Sequence, residues 1–113
     1  MSLPEAARTT DAADFRLTAA APGSLRAQGP LTFASARRAC ELGVQALAQA
    51  TDGKLEVDCG GITVSDSAGL AVLLEWLAVA QRTRRSLHYT GLPQGLAALA
   101  RISDVQELLE RGV

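Results

Sequence analysis

The sequence predicts one α/β domain in which about four strands form a small mixed sheet and about four helices pack mainly on one of its faces. Three observations predict this fold. Segments that alternate apolar and polar residues, as half-buried strands do, occur between segments with apolar residues at the helical period. The first two strands are close enough to form an antiparallel hairpin, whereas strands separated by helices require parallel crossovers. With 113 residues, of which 48% are apolar, the chain can bury one core.

The first half of the chain predicts a hairpin and a helix. Residues 1–14 show no periodicity and are expected to form a flexible tail before a domain that spans residues 15–113. Residues 15–28 alternate on both sides of a Pro-Gly turn, which predicts the hairpin. A helix is predicted over residues 32–50, closed by Thr51-Asp52-Gly53 and capped by Thr32 or Ser35. Its recurring apolar residues are Phe33, Cys40, Val44 and Leu47.

The second half predicts alternating strands and helices. Residues 54–59 read as a strand that Gly60-Gly61 breaks, and residues 62–66 as an extended connector. A helix is predicted over residues 68–84, a strand over 86–90 and a short helix over 94–101. The pattern Ser103-Asp104-Val105-Gln106 is typical of a capping box and opens a last helix.

Composition argues against several classes of function. A net charge of −1 and a pI near 5.7 do not indicate a nucleic-acid partner. The basic cluster at residues 82–85 lies where a helix should end and meets the helix dipole favourably, although an acidic partner or anionic lipid stays open. No run approaches the roughly 20 apolar residues of a membrane span, and residues 1–14 carry neither the basic n-region nor the apolar h-region of a signal peptide. We therefore expect a cytoplasmic domain that reaches a membrane only through a partner, with Cys40 and Cys59 reduced and no metal or cofactor.

The predicted helix over residues 68–84 has two apolar faces. Leu70, Leu73, Leu74 and Leu77 fall on one face, which can be the core face. Ala68, Val72, Trp76 and Val79 fall on the opposite face. Either the C-terminal helices cover this second stripe, or it is an exposed patch that marks a protein interface, for which a tryptophan is a favoured anchor.

The segment Asp66-Ser67-Ala68-Gly69 lies where the extended connector turns into that helix. Asp66 or Ser67 can accept hydrogen bonds from the free amides of the first turn, and the same amides tolerate an anion such as phosphate. No Gly-x-Ser-x-Gly motif is present, and the single histidine, His88, is predicted in a strand. The residues thus predict no catalytic group, and a small serine hydrolase that uses Ser67 is the least supported alternative.

Four segments together resemble the STAS family, whose fold occurs in anti-sigma-factor antagonists and in the cytoplasmic tails of sulfate transporters. The resemblance covers residues 15–109. Its segments are Gly29-Pro30-Leu31 after a strand, Leu55 to Ile62, the signature Val64-Ser65-Asp66-Ser67-Ala68-Gly69-Leu70, and Tyr89-Thr90-Gly91-Leu92-Pro93.

Within that family the chain resembles the STAS subunits of Mla-type phospholipid ABC transporters, through Leu73-Leu74 and residues 96–103. The resemblance implies a non-enzymatic subunit that binds and regulates the cytoplasmic (MlaF-like) ATPase and reaches the permease only indirectly. Such transporters maintain the lipid asymmetry of the outer membrane, so the subunit would lie at the inner membrane through its partner.

The resemblance also implies that Ser67 lies in the ATPase contact. The predicted contact residues are Asp66, Ser67, Ala68 and Gly69, with Val72, Trp76 and Val79 added by helical projection. The alternative within the fold is an anti-sigma-factor antagonist that is switched by phosphorylation of Ser67.

Overall fold

The computed structural model describes residues 14–50 and 53–113 and resolves them into four strands and four helices. Nearly all of the predicted tail, and Thr51 and Asp52 of the predicted helix end, lie outside the described residues. The elements are β1 (Arg16–Ala21), β2 (Ser24–Leu31), α1 (Ala36–Gln49), β3 (Lys54–Ser65), α2 (Ser67–Arg82), β4 (Ser86–Thr90), α3 (Gln94–Ile102) and α4 (Gln106–Arg111).

The four strands form one mixed sheet in the order β1-β2-β3-β4. β1 and β2 pair as an antiparallel hairpin, and β2, β3 and β4 run parallel. Burial alternates along β3 and β4, so one face of the sheet carries the core. The predicted fold class is confirmed, and the carboxyl ends of β2, β3 and β4 meet at one edge of the sheet.

β3 is longer than the sequence predicts. The expected break at Gly60-Gly61 is wrong, because the strand continues to Ser65. Between the paired residues Arg26–Asp58 and Gln28–Gly61, β3 contains one residue more than β2, and the strand absorbs it as a bulge. The expected connector is therefore the end of a strand, and it delivers the signature segment directly to the edge of the sheet.

The first helix begins later than predicted, at Ala36. Ser35 precedes it without a side-chain cap bond to the helix; its hydroxyl donates to the Pro30 carbonyl and accepts from the Thr32 amide. Residues 32–35 thus form a turn, and Phe33, predicted on the apolar face of the helix, is 84% exposed within it. Val44 is also exposed, whereas Leu47 is buried as predicted.

The predicted capping box at Ser103 is wrong as well. Ser103 ends α3, and α4 begins at Gln106 after Val105, which has no side chain able to cap it. Gln106 donates a hydrogen bond to Glu110, one turn further along the same helix.

α2 is buried on both of its apolar faces. Leu70, Leu73 and Leu77 are buried as predicted, and Leu74 is half-buried. Trp76, however, is only 1% exposed: its ring lies 6.2 Å from that of Phe15 and 6.4 Å from that of Tyr89, centroid to centroid. α1 approaches so closely that a Cβ atom at Gly43 would overlap the indole. Trp76 is therefore covered by α1 and by the sheet rather than by the C-terminal helices.

Candidate partner-binding site

Three chain segments meet at the carboxyl edge of the parallel strands, where α/β proteins commonly place their sites. The turn at residues 32–35 follows β2, and residues 66–69 follow β3 one position beyond the paired residues Leu31 and Ser65. The start of α3 completes the group, since a Cβ atom at Gly95 would lie 4.0 Å from the Ser65 hydroxyl oxygen. The site is thus assembled from segments that are distant in sequence.

Asp66 links two of these segments through its carboxylate. Oδ1 accepts a hydrogen bond from the Gly69 amide at 3.1 Å, which caps α2. Oδ2 accepts one from the Phe33 amide, also at 3.1 Å. These amides, that of Phe33 foremost, lower the pKa of the carboxyl group below its ordinary value. Their contribution to stability is therefore present above the ordinary pKa and is lost as the pH falls through the lowered one.

Gly69 lets the first turn of α2 approach the end of β2. A Cβ atom at this position would overlap the carbonyl oxygen of Leu31, which is backbone and cannot rotate away. The glycine of the signature segment is thus a packing requirement at the point where the first turn of α2 touches the end of β2.

Ser67 is the first residue of α2 and its side chain is exposed. Of the two caps that the sequence predicts, Asp66 occupies the capping position and Ser67 does not cap the helix. Ala68, next to it, is half-buried. The hydroxyl group of Ser67 is accordingly accessible to a partner or a modifying enzyme.

Two apolar side chains are exposed at this edge: Val64, which belongs to the signature segment, and Phe33, which was not predicted as a site residue. Phe33 is 84% exposed in the first turn, and Val64 is 56% exposed and pairs in register with Pro30. The helical spacing of Phe33 conceals this exposure, because it predicts the residue within a helix that in the structure begins three positions later. The sequence does carry one signal of this exposure: Phe33 lies between the end of a predicted strand and Ser35, a predicted helix cap.

The family model described as "Mlab, STAS domain" matches residues 16–110, most of the chain. The chain belongs to the STAS family. A solved structure titled "Structure of the Anti-Sigma Factor Antagonist SpoIIAA in its Unphosphorylated Form" is similar with a TM-score of 0.59 and 11% sequence identity, over 78% of this chain and 82% of that one. At this identity the likeness shows the fold alone. Among curated proteins, no sequence matches this STAS domain.

The exposed part of α2 is narrower than predicted. Val72 and Trp76 are buried, so the prediction that they form an exposed contact patch is wrong, and Val79 is half-buried against the core. Both apolar faces of the helix are needed to fill this small STAS domain. On the solvent side, α2 presents Ser67, Ala71 and Glu75 instead.

A catalytic pairing of Ser67 with His88 is incompatible with this fold. His88 pairs in register with Glu56, which lies nine residues before Ser65 in β3. At about 3.3 Å per residue, His88 is therefore roughly 25–30 Å along the sheet from the end of β3 where Ser67 lies, far beyond hydrogen-bond reach. His88 instead lies 3.4 Å from the Ser86 hydroxyl oxygen, through its Nδ1.

Proposed function

We propose that this STAS domain is a non-enzymatic subunit that binds and regulates the cytoplasmic, MlaF-like ATPase of a phospholipid ABC transporter of the Mla type. The observation that carries the proposal is the match of residues 16–110 to the family described as "Mlab, STAS domain". In the described residues no helix is long and apolar enough to cross a membrane, and the proposed route to the membrane is the ATPase.

The proposed contact is the edge of the sheet around Ser67. We name this surface the docking edge and define it as Phe33, Val64, Ser67 and Ala68, together with the half-buried Asp66 and the buried Gly69. Its exposed phenylalanine and valine suit an apolar depression on a partner, because a few anchor side chains that fill well-packed pockets carry most of the binding energy of an interface. The hydroxyl group of Ser67 can hydrogen-bond to water in the free protein and to the partner in the complex.

The test is binding of the purified domain to an MlaF-like ABC ATPase from its own host. We expect Phe33→Ala to weaken binding about 30-fold, the loss of an anchor side chain, and Ser67→Asp to weaken it by placing a charge in the contact. Ile102→Ala is the matched control: Ile102 is 81% exposed but lies at the far end of α3 from Ser65. No ATPase binding by the wild type, or equal losses for Phe33→Ala and Ile102→Ala, would refute the proposal.

The exposed hydroxyl group of Ser67 at the start of a helix also favours a second candidate function, an anti-sigma-factor antagonist. A phosphate there adds a charge of about −1.5 to −2 and would release a partner bound at the docking edge. Phosphorylated Ser67 in protein isolated from its own host, together with binding to a serine-kinase partner rather than to an ATPase, would favour this candidate over the transporter.

A further inference from the structure

We propose that Asp66 is a positioning residue that holds Phe33 beside Ser67, so that the turn at residues 32–35 and the start of α2 act as one unit in partner binding. The inference rests on the proposed function and specifies how its contact surface is built. Asp66 has no need to touch the partner, because it acts through the two backbone amides, of Phe33 and Gly69, that donate hydrogen bonds to its carboxylate.

The exposure of Phe33 is the first step in the argument. Its side chain is 84% exposed, so the core does not fix its position. The turn is closed locally by Ser35, whose amide donates to the Thr32 carbonyl and whose hydroxyl group accepts from the Thr32 amide. These bonds shape the turn but do not direct it toward α2. The bond from the Phe33 amide to Asp66 joins residues that are 33 positions apart.

The second step is that this task requires a carboxylate. Each oxygen of Asp66 accepts a hydrogen bond from a different backbone amide, Oδ2 from Phe33 in the turn and Oδ1 from Gly69 in α2. An asparagine offers one acceptor oxygen, and its amide group is a donor that cannot pair with another N–H. Asp66→Asn can therefore keep the cap on α2 through Gly69 and release Phe33, which separates the positioning role from the capping role.

The third step concerns the consequence for affinity. A side chain that is already held in its binding orientation loses less freedom when the complex forms. Without Asp66 the partner must fix the direction of the turn relative to α2, so Phe33 contributes less to binding even though it is still present. Removing Phe33 should then make Asp66 irrelevant, which predicts non-additive substitutions.

The first readout needs no partner. In ¹⁵N NMR of the free protein, the amide signals of Phe33 and Gly69 should titrate together with one midpoint below the ordinary aspartate range, and neither should titrate in Asp66→Asn. A Phe33 signal that is insensitive to the ionisation of Asp66 would overturn the inference.

The second readout is the affinity for the ATPase in a double-mutant cycle. We expect Asp66→Asn to weaken binding about tenfold or more at unchanged helix content, and Phe33→Ala combined with Asp66→Asn to bind no more weakly than Phe33→Ala alone. Asp104→Asn removes the same charge from an exposed position beyond α3 and should bind like the wild type. Wild-type affinity in Asp66→Asn, or additive losses, would contradict the inference.

The two readouts keep the proposals separate. If the wild-type domain binds no ATPase, the proposed function fails, while the NMR titration still decides whether Asp66 holds Phe33. If the wild type binds and the cycle is additive, the proposed function stands and the positioning role falls.

Discussion

The indole ring of Trp76 is buried in the core, where it contacts the rings of Phe15 and Tyr89. The buried hydroxyl group of Tyr89 donates a hydrogen bond to the Leu73 carbonyl at 2.6 Å and so has a partner. Burial raises the pKa of Tyr89 well above the ordinary value. Trp76 Nε1, in contrast, is buried without a partner among the described residues. An unpaired N–H of this kind costs about 1–3 kcal/mol, so the ring is retained for its apolar contacts.

Trp76→Ala is therefore expected to destabilise the protein rather than simply to abolish binding. Truncation of a buried tryptophan costs about 3–5 kcal/mol, a large part of the roughly 5–15 kcal/mol that holds a small domain folded. Urea unfolding followed by circular dichroism measures it, with Ile102→Ala expected to stay within about 0.5 kcal/mol of the wild type. Trp76→Phe should cost less than Trp76→Ala, because it keeps an aromatic ring and removes the unpaired N–H. Wild-type stability in Trp76→Ala would contradict this burial.

The contact between the start of α2 and the end of β2 sets the shape of the docking edge. Gly69 allows it at short range, and Asp66 ties the following turn to the same helix. A larger side chain at position 69 would therefore push the start of α2 away from the end of β2 and from the turn that follows it.

Gly69→Ala should accordingly lower stability even though alanine is the better helix former by about 1 kcal/mol. The new Cβ atom must displace the Leu31 backbone, and overpacking of this kind costs about 1–3 kcal/mol. Gly95→Ala is the matched control, because Gly95 is also helical and has only the Ser65 hydroxyl oxygen, at 4.0 Å, as a neighbour. Thermal unfolding should show Gly69→Ala below and Gly95→Ala at or above the wild type; the reverse order would contradict the close approach.

At the scale of the whole molecule, the sequence predicts the topology of the sheet better than it predicts which apolar helix faces are buried. Alternating strand and helix periods give the mixed sheet, because parallel crossovers leave few alternatives. The same periods leave open whether a second apolar face on α2 is exposed, since the answer depends on Gly43, which lies in another helix. The pairing of Phe33 with Asp66 is likewise invisible, because it joins residues 33 apart through a backbone amide.

The buried residues form one cluster that includes Cys59 in the interior strand β3, and this predicts cooperative unfolding. The Cys59 side chain is fully buried, and burial, aided by the charge of Asp58, raises the pKa of its thiol to about 12. Since the thiolate is the reactive form, Cys59 should resist alkylation at pH 8 until the core opens. Cys40 is half-buried and is the other free cysteine among the described residues.

Alkylation of a Cys40→Ser variant tests this cooperativity at the single site Cys59. If exposure of Cys59 requires global unfolding, the free energy obtained from its labelling rate at pH 8 should equal that from urea unfolding within about 15%. Mass spectrometry of the intact protein follows the labelling, and the same reaction in denaturant gives the rate for the open thiol. A labelling free energy well below the urea value would mean that β3 opens locally. In that case the strand that delivers Asp66 and Ser67 to the docking edge would be less firmly held than one continuous core requires.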